Sequence, residues 1–256
     1  MTAILQVSGL VKQFGGNRAV DGASFEVEAG TVTGLIGPNG AGKTTCFNCI
    51  AGFVRTDGGR VAFDGADITG LAPHKIFHRG LVRTFQIPQE LSSMTVLENL
   101  ALVPSAQGGE RVWESLLLPW RVARQERVNA ARAKEVLELV QLGDLVYEYA
   151  GNLSGGQRKL LELARALMAR PKMVLLDEPA AGVNPTLVRQ LIEHIREMQR
   201  VMGITFLVVE HNMEVVSALC DSVVVMTNGR VLLEGTPEVV LADAGVQEAY
   251  LGSQYR

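Results

Sequence analysis

Two spacings of apolar residues run through the chain, one of period two or continuous, the other with repeats at three or four. Leu5-Gln6-Val7 and Ala23-Ser24-Phe25-Glu26-Val27-Glu28 belong to the first kind, and the alternation in the second run predicts a half-buried strand. Thr31-Val32-Thr33-Gly34-Leu35-Ile36 is mostly apolar and rich in β-branched residues, which reads as a buried strand. A glycine-rich stretch follows, and a helical pattern runs from Lys43 to about Ala51. Between 92 and 152 the pattern changes. Ala133, Leu137 and Val140 stand at i, i+4 and i+7, charges fill the other faces of 124–138, and no strand pattern intervenes, so this region reads as a mainly helical insertion.

Strand patterning returns at Met173-Val174-Leu175-Leu176 and Thr205-Phe206-Leu207-Val208-Val209. Between them Leu187, Leu191, Ile195 and Met198 form a helical stripe. Ser222–Met226 and Arg230–Leu233 flank Asn228-Gly229 and predict a hairpin. Strands that alternate with helices imply an α/β fold with a mainly parallel sheet covered on both faces. Ligands of such sheets bind at the carboxyl ends of the strands, so chemistry is sought just after each apolar run.

Composition narrows the classes. The 256 residues hold 24 Lys and Arg against 27 Asp and Glu, a net charge of −3, which excludes a nucleic-acid binder that relies on a strong basic field. No continuous apolar stretch reaches the roughly 18 residues of a membrane helix, and the start has neither a basic nor a long apolar leader segment, so a cytosolic chain is expected. Three cysteines do not make a disulfide scaffold. Cys46 and Cys49 fall inside the predicted helix without a second pair, and read as small buried helix residues. His74 and His78 read as a solvated helix face, and Trp113 and Trp120 as anchors of the helical insertion.

Gly37-Pro38-Asn39-Gly40-Ala41-Gly42-Lys43-Thr44 satisfies G-x-x-x-x-G-K-[ST] between a predicted strand and a predicted helix. Glycines let backbone N–H groups curl around phosphate oxygens, and the helix start adds unpaired amides and the positive end of its dipole. Lys43 would reach the β- and γ-phosphates and the Thr44 hydroxyl would bind Mg²⁺. Asp177 and Glu178 end an apolar strand. There Asp177 would hold Mg²⁺ through water, while Glu178 could polarise an attacking water. Leu153-Ser154-Gly155-Gly156-Gln157 opens a third helix. Ser154 and Gln157 have capping-box spacing, and the two glycines leave a second anion site open as the alternative.

A complete phosphate loop, then Leu-Ser-Gly-Gly-Gln, then Asp-Glu after an apolar strand resembles the ordered signature of ATP-binding cassette ATPases, over nearly the whole chain. The resemblance implies a P-loop nucleotide-hydrolase core with an N-terminal antiparallel β subdomain (1–91 and 153–256) and the helical insertion (92–152). It implies ATP and Mg²⁺ as ligands. The nucleotide set is then Phe14, stacked on adenine, with Gly37, Pro38, Asn39, Gly40, Ala41, Gly42, Lys43, Thr44 and Thr45. Cassettes pair head to tail, so Ser154, Gly155, Gly156 and Gln157 would contact ATP bound by the partner. Gln86 looks like the family's glutamine loop, touching Mg²⁺ or the attacking water. His211 looks like the switch histidine that meets the γ-phosphate and orients Glu178, the general base. Asn184 stands where many members have Asp, and with Pro185 it also makes a helix start.

Narrower words, Arg83-Thr84-Phe85-Gln86, Thr95–Leu100, Glu210-His211-Asn212-Met213 and Glu248–Gly252, resemble the first ATPase of branched-chain amino-acid importers. That resemblance implies a second ATPase subunit, two transmembrane permease subunits, an external solute-binding protein and a peripheral place on the cytoplasmic face of the plasma membrane. An exporter ATPase, such as that for lipopolysaccharide, and a soluble non-transport cassette remain the alternatives.

Overall fold

The computed structural model describes residues 2–84, 91–104 and 119–251. By contacts the chain forms two compact units, Met1–Gln86 with Lys172–Arg256, and Ile87–Pro171.

The first unit holds two sheets. Strands β1 (Ala3–Phe14), β2 (Asn17–Glu28), β4 (Gly58–Phe63) and β5 (Ala66–Asp67) form an antiparallel sheet in the order β2-β1-β4-β5. The predicted alternation of Ala23–Glu28 is borne out, with Ala23, Phe25 and Val27 buried and their neighbours exposed. The second sheet runs β10-β9-β3-β8-β7-β6, from β3 (Val32–Ile36), β6 (Leu81–Arg83), β7 (Met173–Asp177), β8 (Thr205–Val209), β9 (Ser222–Thr227) and β10 (Arg230–Gly235). All its pairings are parallel except β9 with β10, the expected hairpin. β3, β7 and β8 are buried along their whole length, the continuous apolar reading of strands covered on both faces. Helix α1 (Lys43–Ile50) follows β3 and α2 is Pro73–Phe77.

The second unit holds α3 (Val96–Ala101), α4 (Pro119–Leu139) and α5 (Gly155–Met168). It extends past both ends of the 92–152 insertion read from the sequence, because α5 turns Leu160, Leu161, Ala164 and Leu167 inward and Arg132 Nη2 of α4 donates to Leu167 O at 3.1 Å. Thr95–Leu100 has a structural reason. Thr95 and Glu98 form a capping box, and fully buried Asn99 accepts from Leu91 N and donates to Leu91 O and Thr95 O. Ala133, Leu137 and Val140 are buried as the stripe predicts.

Trp120 corrects the sequence reading. It is 65 % exposed rather than packed as an anchor. It precedes Ala133 by thirteen positions, which at 100° per residue puts it about 140° round the helix from the buried stripe. Trp113 lies outside the described residues. The remaining helices are α6 (Pro185–Met202), α7 (Met213–Leu219), α8 (Pro237–Ala242) and α9 (Ala244–Leu251), all in the first unit. Leu191, Ile195 and Met198 of α6 are buried and Leu187 half-buried. Among the described residues no helix is long and apolar enough to cross a membrane.

Phe206, fully buried in β8, and Trp120 should respond oppositely to truncation. Phe206→Ala is expected to cost about 3–5 kcal/mol, read as a lower urea midpoint. Trp120→Ala should stay within about 0.5 kcal/mol of the parent, and a large loss there would show that Trp120 does support the fold.

Candidate functional site

At the carboxyl end of β3 the chain turns through Gly37–Gly42 into α1. The glycines at both ends of the turn are dictated by neighbouring backbone. Gly37 has φ 149° and a Cβ there would stand 2.1 Å from Met226 O, while Gly42, at φ 96°, would place one 2.2 Å from Ala19 O. Gly42 is the N-cap of α1 and no side chain caps the helix, so its first amides are left to a ligand. Lys43 is buried. Its Nζ donates to Gly37 O at 2.7 Å and to Pro38 O at 3.0 Å. Burial holds its pKa below the usual lysine value, and the carboxylates of Glu178 and Asp177 work against that shift.

A cavity of about 540 Å³ opens over this loop. It is lined by Asn39, Gly40, Ala41, Gly42, Lys43, Thr44 and Thr45, by Glu178, and by Phe14, Asn17, Arg18, Ala19 and Asn228. Phe14, at the end of β1, is 51 % exposed, a ring face available for stacking. Of the sequence-predicted loop residues, Gly37 and Pro38 present carbonyls to Lys43 rather than lining the cavity. Asn17, Arg18 and Asn228 were missed. Asn228-Gly229 was legible only as a turn, and its place at the cavity depends on tertiary bonds from Gly229 N to Ala41 O and from Asp21 N to Gly229 O.

Asp177 and Glu178 diverge, as consecutive residues at a strand end do. Asp177 is buried, its Oδ2 accepting from Arg83 Nη2 at 2.9 Å. Glu178 takes a left-handed backbone conformation (φ 48°), its N–H bonded to Val209 O. That turn brings its carboxylate to the cavity and sets Oε1 3.8 Å from His211 Nδ1.

Glu210, 1 % exposed, braces the pair, a role the sequence did not reveal. Its Oε1 accepts from Ala180 N at 3.0 Å and its Oε2 from His211 N at 3.1 Å, so one carboxylate ties the loop after Glu178 to the loop that carries His211. Asn184 caps α6 by accepting from Leu187 N at 3.0 Å, with Pro185 at the first helical position, which fits the helix-start reading.

Ser154–Gln157 belongs to the other unit. The capping box is complete: Ser154 N donates to Gln157 Oε1 at 2.9 Å, and Ser154 Oγ accepts from Gln157 N at 3.3 Å. Ser154 and Gly155 are exposed, Gly156 is buried and Gln157 half-buried. The Ser154 hydroxyl keeps its proton to donate outward. Gln86 lies outside the described residues.

Cys46 and Cys49 are buried helix residues, and burial pushes the Cys49 thiol up to about 11. His74 and His78 are exposed, and no group of three or more His, Cys, Asp or Glu that could hold a metal occurs among the described residues. Mg²⁺ fits the donors that are present. The Thr44 hydroxyl and the Asp177 carboxylate are hard oxygens, and Mg²⁺ usually takes one or two protein oxygens with phosphates and water rather than a protein cage.

The family model for the ABC transporter matches residues 20–181, more than half of the chain. The chain belongs to the ABC transporter family. A second model, for the branched-chain amino acid ATP-binding cassette transporter, matches residues 230–256 of this cassette. It is 47 % identical to an Archaeoglobus fulgidus protein named "probable branched-chain amino acid transport ATP-binding protein LivG", over 98 % of this chain and 96 % of that one. It is 41 % identical to the high-affinity branched-chain amino acid transport ATP-binding protein BraF of Pseudomonas aeruginosa, over 97 % and 98 %. The crystal structure of the ADP conformation of an ATP-binding cassette of an ABC transporter superposes with a TM-score of 0.83 at 41 % identity, covering 98 % of this chain and all of that one. The α/β fold expected of an ATP-binding cassette is thereby borne out.

The Glu210 brace makes a prediction that stability alone can check. Glu210→Ala leaves buried amides without their acceptor and is expected to lower the unfolding free energy by about 3 kcal/mol. Glu210→Gln keeps one acceptor oxygen and should cost about 1 kcal/mol. Urea unfolding of both variants reads this directly; an alanine variant as stable as the parent would remove the brace.

Proposed function

We propose that this cassette is the ATP-hydrolysing, nucleotide-binding subunit of an importer for branched-chain amino acids or a related small polar solute. The observation that carries the chemistry is the meeting of Glu178 and His211, 3.8 Å apart, beside a phosphate loop whose cavity Glu178 lines. The solute class rests on the names of the relatives and on the match at residues 230–256.

In this reading Phe14 stacks on adenine and the amides of the 37–45 loop cradle the phosphates. Lys43 exchanges the carbonyls of Gly37 and Pro38 for β- and γ-phosphate oxygens, which are charged and bind it more strongly. Thr44, Asp177 through water and Gln86 would hold Mg²⁺. Mg²⁺, when bound, neutralises charge on the phosphate oxygens. Glu178 accepts the proton of the attacking water, and His211 fixes the Glu178 carboxylate and donates to the γ-phosphate. Ser154, Gly155, Gly156 and Gln157 serve ATP held by a second cassette, the exposed Ser154 hydroxyl and the start of α5 supplying the donors. Pairing with that cassette and with two permease subunits holds the chain at the cytoplasmic face of the plasma membrane, with the solute-binding protein reached only through them.

Glu178→Gln keeps the shape and loses the base. Phosphate release by the assembled transporter is expected to fall about 10²–10⁴-fold while ATP still binds. Turnover at the parent rate would remove Glu178 from the role. Purification from native membranes tests the transport assignment: recovery of two permeases, a second cassette and a solute-binding protein supports it, and recovery of an exporter scaffold overturns it.

A further inference from the structure

Arg83, the last residue of β6, holds more of the site than its place beside the glutamine loop would suggest. Its Nη2 donates to Asp177 Oδ2 at 2.9 Å, and its Nη1 donates to Asn48 Oδ1. The guanidinium carbon lies 5.5 Å from the centroid of Phe47 and 5.3 Å from that of Phe53, within cation–π reach of both rings. The Arg83 and Asp177 side chains are only 11 % and 7 % exposed.

Asn48 stands on α1 four residues after Thr44, one turn along the same face. A single planar fork therefore grips the carboxylate at the end of β7 and the helix that carries the Thr44 hydroxyl. Arginine suits this, since its donors diverge in one rigid plane, whereas a lysine head is a single point charge. Arg83 takes Oδ2 of Asp177. Among the described residues no hydrogen bond reaches Oδ1, so that oxygen keeps its acceptor capacity. Stability is a weak reason for the arrangement, because a buried ion pair roughly breaks even against apolar packing of similar volume. The Arg83 Nε is buried and finds no hydrogen-bond partner among the described residues, a further cost of placing a guanidinium here.

We propose that Arg83 is a positioning residue that sets the separation between Asp177 and the Thr44 turn of α1, and through it the Mg²⁺ affinity of the nucleotide site. The inference rests on the reading of Asp177 and Thr44 as the metal-side groups. Arg83 does not line the phosphate-loop cavity and acts through the two elements it clamps.

The test is binding of a fluorescent ADP analogue to the full chain, in excess Mg²⁺ and in EDTA. The quantity read is the ratio of the two dissociation constants, with a thermal melt to confirm folding. Arg83→Met is expected to reduce the Mg²⁺-dependent tightening about tenfold, the usual effect of losing a group that orients a metal ligand, and to leave binding in EDTA within about twofold of the parent. An unchanged ratio, or equal weakening with and without Mg²⁺, overturns the proposal. Should the methionine variant not fold, Arg83→Lys keeps a charge beside Asp177 but cannot span both acceptors; its ratio should fall in the same sense, and a parental ratio overturns the clamp. Asp177→Asn separates the two readings. If it keeps the parent's Mg²⁺ dependence, the assignment of Asp177 has failed and the inference with it. If it loses that dependence, Arg83→Met added to it should change the ratio no further, and a full additional effect would show that Arg83 does not act through Asp177.

Discussion

The site depends on how closely two backbone carbonyls approach the phosphate loop. Ala19 O and Met226 O lie where a Cβ on Gly42 or Gly37 would have to go. They come from different sheets, Ala19 from β2 and Met226 from β9, so the loop is wedged at both ends by parts of the fold that are far apart in sequence. No side chain caps the helix that follows, so its first amides keep their donor capacity. The wedge is supported by the hairpin turn, where Gly229 bonds both Ala41 and Asp21, and by Arg230, whose Nε and Nη2 both donate to Asp21 Oδ2. The sheets serve as a frame whose edges are set by this one turn.

The same frame explains why chemistry gathers at the strand ends. β3, β7 and β8 are paired in parallel and in register, so Ile36, Asp177 and Val209 finish at one edge. Each of these strands runs into a short turn that carries a candidate site group: β3 into the phosphate loop, β7 into Glu178, and β8 into the turn that carries His211. Their spacing is fixed by ladder hydrogen bonds, and Glu178 N to Val209 O continues the β7–β8 ladder into the turns themselves. Glu210 then commits a buried carboxylate to backbone amides from both turns, and those hydrogen bonds offset part of the cost of burying its charge.

Much of this was legible in the sequence, and the legible parts share a cause. The phosphate loop, the acidic strand end, the capped helix at Ser154 and the Asn228-Gly229 turn are local patterns, readable because their geometry is set within a few residues. Arg83 with Asp177, separated by 94 positions, and Glu210 with Ala180, separated by 30, are pairs that only the sheet order brings together. Trp120 shows the converse error. Size and apolar character suggested an anchor, but the period of α4 points it away from the buried stripe, and the period is the stronger physical statement.

Net charge is the least informative of the sequence properties, because the chemistry lies in a few buried groups. Among the described residues, Lys43, Asp177 and Glu210 are the buried charged groups of the first unit, and Arg83 is paired with Asp177. Each is held by bonds of a different quality. Glu210 is tied to backbone amides and Asp177 to a guanidinium, both strong and directional. Lys43 is tied only to neutral carbonyls of its own loop, and its burial already weakens its hold on the proton. In the proposed reading a bound phosphate would give Lys43 charged acceptors in place of neutral ones. The fixed members of the set hold the geometry, and the lysine, bonded only to neutral carbonyls, is the member whose partners a ligand could replace.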